Sequence, residues 1–457
     1  MILPKTIKET KERLIRKEFS CVQLVDSYLS NINSKNKELN AVLTISDEIA
    51  YRDAKKADEI IKNLGEEAFN EFPLLGVTVI HKDIFLTKGV RTTAASKLLE
   101  NYVPVYSATV VNKLEKAGCI MLGKANCDAW AHGSSGENSD FGPTKNPHNQ
   151  KYVPGGSSSG SASAVAANFS LISTATDTCG STRLPANFCG LVGLKPTYGA
   201  VSRYGCIAMA SSLDSMGHIT SSVEDSRKIF NVTKGPDGFD ATVARHSGIP
   251  VKDKLTIGVP NEFFVNGLDK EIVKNINEVK TKYESLGVKF KEISLPHTKY
   301  AISAYYIIQP AEVSSNLGRY DGIRFGDSRN KFGDEAKRRI MLGTYVLSAG
   351  YYDAYYLKAM KARTIISKEV YKTFDEVDAI IAPVSPTLPF KLGEKVSDPL
   401  KMYLTDIFAA TANLSGIPSI AIPSGFAKNK LPLGFQLMGP RFGEDILFKL
   451  GEMYERN

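Results

Sequence analysis

Between Pro154 and Pro196 the chain is built almost wholly from small residues, and this stretch restricts the fold more than any other. It opens with Pro-Gly-Gly-Ser-Ser-Ser-Gly-Ser-Ala-Ser-Ala-Val-Ala-Ala-Asn, passes through the apolar run Phe169 to Ala175, and continues as Thr-Asp-Thr-Cys-Gly-Ser-Thr-Arg-Leu-Pro. One reading is a flexible Gly/Ser linker. The other is a Gly-rich turn opening onto a helix, because Ala162, Ala164, Val165, Ala166 and Ala167 favour helix directly after the Gly-Ser run. Such a turn presents backbone N–H groups and the positive end of a helix dipole, which suit an anion or oxyanion. A phosphate-cradling loop needs Lys followed by Ser or Thr after its second Gly, and a dinucleotide loop needs spaced glycines with a following acidic residue. Neither pattern is present. On this half alone, linker and catalytic loop stand level.

The second half tips the balance. Asp177-Thr-Cys-Gly-Ser-Thr-Arg183 follows an apolar strand, holds a Ser after a Gly, and runs into a Pro- and Gly-punctuated segment too stiff for a linker. A hydroxyl beside consecutive backbone N–H groups is what acyl transfer requires. The Ser still needs a base. His132 or His218 could serve in a Ser-His-Asp arrangement, although no spacing points to either. A Lys whose pKa is lowered by burial is the other option.

Around this stretch, helical and strand patterns alternate. Thr6 to Lys17 reads as a charged helix, Ser20 caps a second with Val22, Val25, Leu29 and Ile32 at helical spacing, and Asp47 to Asn63 forms a third. Leu74 to Ile80 and Cys119 to Gly123 read as strands, with a helix from Ala108 to Lys116 between them and a helical stretch after Gly123. Val232 to His246 is a surface connection rich in turn residues. Leu255 to Val259, Asp269 to Leu286 and Val288 to Leu295 follow as strand, helix and strand, which allows a separable subdomain. A long helical region spans about Ala336 to Phe374, ahead of the strand Ala379 to Ala382. Short apolar strands between helices predict an α/β fold with a buried sheet.

Composition excludes several alternatives. With 43% hydrophobic and 23% charged residues over 457 positions, the chain can bury a large core, so disorder and small disulfide scaffolds are excluded. The net charge of +8 is spread without a run of five like charges, unlike a dedicated nucleic-acid binder. Six cysteines include no CxxC pair, and six histidines include no HxxxH, so no metal is expected. No apolar window is long enough for a membrane span, and the charged first twenty residues do not read as a signal peptide. A reduced, cytoplasmic protein is the expectation.

Taken together, Gly76-Val-Thr-Val-Ile-His-Lys-Asp83, Gly155-Gly-Ser-Ser-Ser-Gly-Ser161 and Asp177-Thr-Cys-Gly-Ser-Thr-Arg183 resemble the amidase signature family. The separations agree with that pattern: 75 residues from Lys82 to Ser157 and 24 from Ser157 to Ser181. The resemblance implies a mixed, mainly parallel β-sheet covered by helices on both sides. It implies a Ser-Ser-Lys triad in which Ser181 is the acyl-forming nucleophile, Ser157 a bridging serine on a cis peptide bond, and Lys82 the base. Backbone N–H groups around Thr178, Cys179, Gly180 and Ser181 would form the oxyanion hole. Residues 1–65 would be an N-terminal helical segment of the same domain, 66–230 the signature core, and 231–457 the part that completes the sheet and the substrate pocket.

Later stretches, among them Leu194-Lys-Pro-Thr-Tyr-Gly199, Arg319-Tyr-Asp-Gly-Ile-Arg-Phe-Gly326 and Gly350-Tyr-Tyr-Asp-Ala-Tyr-Tyr356, resemble the glutaminase subunits of tRNA-dependent amidotransferases. That likeness implies hydrolysis of glutamine through a seryl ester. Ammonia would be supplied for conversion of glutamyl-tRNA(Gln), or aspartyl-tRNA(Asn), within a heterotrimer. It implies a large kinase-like B subunit that uses ATP and Mg²⁺ and a small C subunit, with no cofactor in this chain. Glutamine carries an α-carboxylate and an α-ammonium, so its pocket needs a cation and an anion on opposite walls. By similarity Arg339 takes the carboxylate, Asp406 takes the ammonium, and Tyr305 lines the site; the four tyrosines 351, 352, 355 and 356 read as packing residues.

The sequence departs from the family pattern at three places. Cys179 stands where Gly is usual, Ser159 replaces a common Gly, and the segment from Arg324 to Arg339 is short. A Cβ at 179 is tolerable only where φ is not positive. Two rivals follow: a stand-alone amidase acting on small or aromatic amides, and a scaffold or RNA-binding subunit with a decayed catalytic loop.

Overall fold

Alternate residues of a strand point to opposite faces, and here both faces are apolar. In the strand Thr78–Lys82 all five residues are buried, with Val79 in one hydrophobic cluster and Ile80 in another. Ile120 and Leu122 of the next strand in sequence join Ile80, and Met121 joins Val79. A sheet of this kind needs helices on both sides. Helix Cys21–Leu39 packs Leu24, Val25, Tyr28 and Ile32 against the Ile80 face, and helix Thr109–Lys116 packs Val110, Val111 and Leu114 against the Val79 face.

A computed structural model describes residues 2–264, 267–323 and 326–456 of the chain. Eleven strands among them form one sheet: β1 Val42–Ile45, β2 Thr78–Lys82, β3 Ile120–Ala125, β4 Ile172–Asp177, β5 Val192–Lys195, β6 Ser215–Thr220, β7 Thr256–Pro260, β8 Lys289–Ile293, β9 Ala379–Ala382, β10 Ser419–Phe426 and β11 Pro432–Met438. Their spatial order is β1-β3-β2-β4-β6-β5-β10-β11-β9-β7-β8. The sheet is mixed, as expected for this α/β fold. Parallel pairing is confined to two blocks, β3-β2-β4 and β9-β7-β8. Antiparallel pairs fill the centre from β4 to β9 and add β1 at one edge.

Local signals are realised where the sequence carried them. Thr6 and Ser20 cap the first two helices, and Ser20 forms a reciprocal box with Gln23. Four expectations change. No regular helix follows Gly123; the strand runs on to Ala125, and only a short turn, Ala129–Ala131, forms, because Trp130 and Ala131 take left-handed backbone (φ 59° and 62°). The run from Leu74 yields a strand only from Thr78. The segment from Leu255 is no separable subdomain, since β7 pairs with β9, more than a hundred residues later in the chain. The long helical region is three pieces, Asp334–Val346, a π-helical turn Tyr352–Leu357, and Lys358–Thr373, broken at Gly350 (φ 83°). Arg324, one end of the short segment, lies outside the described residues.

Candidate active site

Parallel strands β2 and β4 end side by side, and their carboxyl ends deliver the chemistry. Lys82 is the last residue of β2 and is fully buried. Its Nζ donates to Ser157 Oγ at 2.8 Å and to Thr176 Oγ1 of β4 at 2.9 Å. Burial lowers the Lys82 pKa against the opposing pull of Cys127, Cys206, Asp128 and Asp177. Removing water from an ammonium disfavours its charge, so the amine moves toward the neutral form that can accept a proton.

Ser157 is aimed by a loop that permits no side chain before it. A Cβ on Gly156 would lie 2.0 Å from Asp128 Oδ2, and Gly155 takes φ 80°. The Gly156–Ser157 peptide bond is cis. Gly156 N–H donates to Ser134 O (2.9 Å), and Asp128 N–H donates to Ser157 O (3.1 Å). The Asp128 carboxylate in turn accepts from Gly136 N–H and Asn138 N–H, and burial lifts its pKa to about 6. Helix Ser159–Ala166 follows at once and is buried from Ser159 to Val165, which removes the linker reading. Ser159 fits because its Cβ sits over Gly136, which has no Cβ of its own, while its Oγ donates to Thr144.

The Ser181 loop is organised by an ion pair. Asp177, the last residue of β4, is fully buried against Arg183 (Oδ2 to Nε 3.0 Å, Oδ1 to Nη2 3.0 Å). The guanidinium holds this carboxyl well below the usual range despite burial. Arg183 Nη1 donates to Gln436 Oε1, and Nη2 is shared among Asp177 Oδ1, Asn413 Oδ1 and Ala409 O. Ser181 O accepts from Ser158 N–H at 3.1 Å, fastening the two serine loops together, and Ser181 is the more accessible serine at 6% exposure.

Gly180 requires a correction. Its N–H donates to Asp177 Oδ1 at 2.7 Å and is not free for an oxyanion, because the loop tightens around the Asp177 carboxylate. Among the described residues no partner takes the N–H groups of Thr178, Cys179 or Ser181, which remain as donors. Gly180 contributes φ 91° instead, where a Cβ would press on Ala409. Cys179 keeps a negative φ, so its Cβ is accommodated. Burial pushes its thiol above the ordinary range, which disfavours a competing thiolate.

A second wall, beside the Ser181 loop at Gly180, brings together all three residues assigned to the pocket, and the cation and anion share it instead of facing each other from opposite walls, because Tyr306 packs between them. Asp406 is buried, accepts from Ser134 Oγ (2.5 Å) and Tyr306 OH (3.4 Å), and is raised to about 7 by burial. Arg339 is buried with Nε on Glu335 (2.7 Å) and Nη1 on Gln309 (2.8 Å), its guanidinium lying over the Tyr306 and Tyr403 rings. Tyr305 is buried and packs edge-on against Tyr306. Tyr306, which touches both charges, stands in no motif that sequence reasoning picks out; the adjacent pair Tyr305-Tyr306 on one helix is the available signal. Sequence reasoning also misses Thr176, Asp128, Ser134 and Arg183; Thr176 and Arg183 stand in the quoted small-residue stretch, Asp128 and Ser134 in none. His218 shares a hydrogen bond with Ser226 and has none to Lys82, Ser157 or Ser181. The tyrosines 351, 352 and 355 are exposed and stack among themselves and with Tyr345 and Tyr356.

Among the described residues no cluster of His, Cys, Asp or Glu could hold a metal ion, and no helix is long and apolar enough to cross a membrane. Residues 23–448 match the amidase family. The chain is 48% identical to the A subunit of the glutamyl-tRNA(Gln) amidotransferase of Geobacter metallireducens, over 99% of this chain and 96% of the relative. It is also 48% identical to the polypeptide of the same name from Carboxydothermus hydrogenoformans, over 98% and 96%. The crystal structure of the corresponding glutamyl-tRNA(Gln) amidotransferase polypeptide from Thermotoga maritima superposes with a TM-score of 0.83 at 38% identity, over 100% of this chain and 96% of that one.

Proposed function

The chain belongs to the amidase family, and from that premise we propose that it is the glutaminase subunit of a tRNA-dependent amidotransferase. The observation that carries the chemistry is the fully buried Lys82 amine, 2.8 Å from Ser157 Oγ in a loop fastened to Ser181. Neutral Lys82 takes the proton of Ser157 as Ser157 takes that of Ser181, and Ser181 Oγ attacks the glutamine carboxamide carbon. The N–H groups of Thr178, Cys179 and Ser181 receive the oxyanion. Collapse breaks the C–N bond, and the relayed proton returns through Ser157 to the departing amine, leaving ammonia and a glutamyl ester. Water then repeats the relay in reverse roles to give glutamate. Arg339 and Asp406, on either side of Tyr306, hold the α-carboxylate and α-ammonium.

In this reading the ammonia passes to a B subunit, which uses ATP and Mg²⁺ to activate glutamyl-tRNA(Gln), with a small C subunit completing the assembly in the cytoplasm. Free ammonia is mostly ammonium at neutral pH, so an enclosed route between subunits follows from the chemistry. The test is ammonia release from glutamine by the chain with and without its B and C subunits and glutamyl-tRNA(Gln). Release that depends on the partners and vanishes with Ser181→Ala is expected. Partner-independent release, with neutral amides turned over as well, would replace this reading with a stand-alone amidase.

A further inference from the structure

Three buried polar atoms close to Arg339 have no partner: Nδ1 and Nε2 of His132 and Nε2 of Gln309. Both side chains are all but inaccessible, at 1% and 0% exposure. Burying a donor without an acceptor carries the full desolvation cost of that group, so an orphaned pair beside a binding cation points to a ligand that completes it.

Gln309 lies one helical turn after Tyr305 on the helix Ala301–Leu317, and so shares its face. The helix Asp334–Val346 approaches it closely because Gly343 has no side chain; a Cβ there would lie 1.9 Å from Pro310 O. That contact, one turn beyond Arg339, brings Arg339 Nη1 onto Gln309 Oε1. Arginine has donors only, so the amide oxygen must face it, and Gln309 Nε2 is a donor turned elsewhere. Glu335 takes Arg339 Nε and offsets its charge, and Nη2 has no hydrogen bond to a described residue. His132 enters from the loop whose Ser134, two residues on, holds Asp406. Burial and the nearby Arg339 charge keep its imidazole neutral, with one N–H to give.

We propose that Gln309 Nε2 and the His132 N–H join Arg339 Nη2 in a three-donor cradle for the α-carboxylate of the substrate, and that these two neutral side chains select a free α-amino acid. This rests on the glutamine-hydrolysing reading of the site. Glu335 takes part of the guanidinium's charge, so donors beside Arg339 sharpen its preference for a carboxylate. Neutral donors add recognition without adding charge, and a carboxylate has lone pairs enough for all three.

The test compares L-glutamine with L-glutamine α-methyl ester, whose carboxylate is masked, reading ammonia from the side-chain amide in the assembled complex. His132→Phe removes one donor, and Gln309→Glu keeps the acceptor for Arg339 while losing the other donor. Each is expected to raise KM for glutamine about tenfold with kcat nearly unchanged, and to shrink the preference over the ester to a similar degree. His132→Asn, which restores a donor, is expected to recover part of the loss. Equal losses on both substrates, or a loss in kcat instead of KM, would overturn the cradle. Calorimetric titration of the Ser181→Ala chain with both compounds reads the preference without turnover. A carboxylate preference there, alongside a wild-type assembled complex that releases no ammonia from glutamine, would keep the cradle and remove the glutaminase reading. No preference would remove the cradle.

Discussion

The two walls of the site are built on opposite principles. On the wall of Lys82, Ser157 and Asp177, side chains come from the ends of two adjacent parallel strands and the loops that follow, and their polar atoms are paired within the protein. On the wall of Arg339 and Asp406, the groups come from loop 128–138, the helices at Ala301 and Asp334, and the turn at Leu404–Asp406, and several donors stay unpaired. The first arrangement suits a proton relay, whose geometry must exist before substrate arrives. The second suits recognition, where the ligand supplies the missing partners.

Four substitutions and a pH series test this contrast, the largest effect first. Ser181→Ala removes the nucleophile of the paired wall, so glutamine-dependent ammonia release should fall by about five orders of magnitude while glutamine binding by calorimetry persists. A retained rate would break the assignment and move the nucleophile elsewhere. Arg183→Met strips the partner from a fully buried carboxylate at Asp177. It should cost roughly 3–5 kcal/mol in chemical denaturation, since the charge left behind is uncompensated; a near-neutral result would mean that the loop is held by Asn413 and the backbone alone.

On the recognition wall the effects are smaller and appear in KM. Arg339→Ala should raise KM for glutamine by roughly a hundredfold while sparing turnover of a neutral amide, because a charge-assisted bond is worth about 1.5–3 kcal/mol. Equal losses on both substrates would erase the distinction between the walls. The mildest test is pH. Asp406 is raised to about 7 in the unliganded protein. The carboxylate form must pair with the ammonium, so glutamine binds without penalty above pH 7, and KM climbs about tenfold per unit below it. Asp406→Asn should raise KM throughout and flatten this profile; an unchanged profile would assign the titration to another group.

How much of this was legible in sequence differs between the walls. Ser181 could be singled out from its own turn, where a Ser follows a Gly after an apolar strand; Lys82, Ser157 and the cis Gly156–Ser157 bond came through the family likeness of their short motifs. Gly156 must be glycine because Asp128 fills the space of its Cβ. The Gly180 N–H was misassigned for the same local reason that makes the loop recognisable: Asp177 folds back on it. On the other wall Arg339, Asp406 and Tyr305 came only through family likeness, and Tyr306, Gln309 and Ser134 stood in no quoted motif. Val42, Ile80 and Leu437 are interchangeable in a hydrophobic pattern, which is why the pattern could place strands but not order them in the sheet.

The sequence by itself determined the α/β class, the capped helices, and the pair of small-residue loops, because capping, periodicity and tight turns depend on residues within a few positions of one another. Only the tertiary structure decided that β7 joins β9, that Gly343 lets one helix press its Arg339 against Gln309, and that Ser134 reaches Asp406 across 272 residues. Those contacts arise from which surfaces pack together. Packing is a property of the whole assembled core, in which no single segment carries enough information to name its partner.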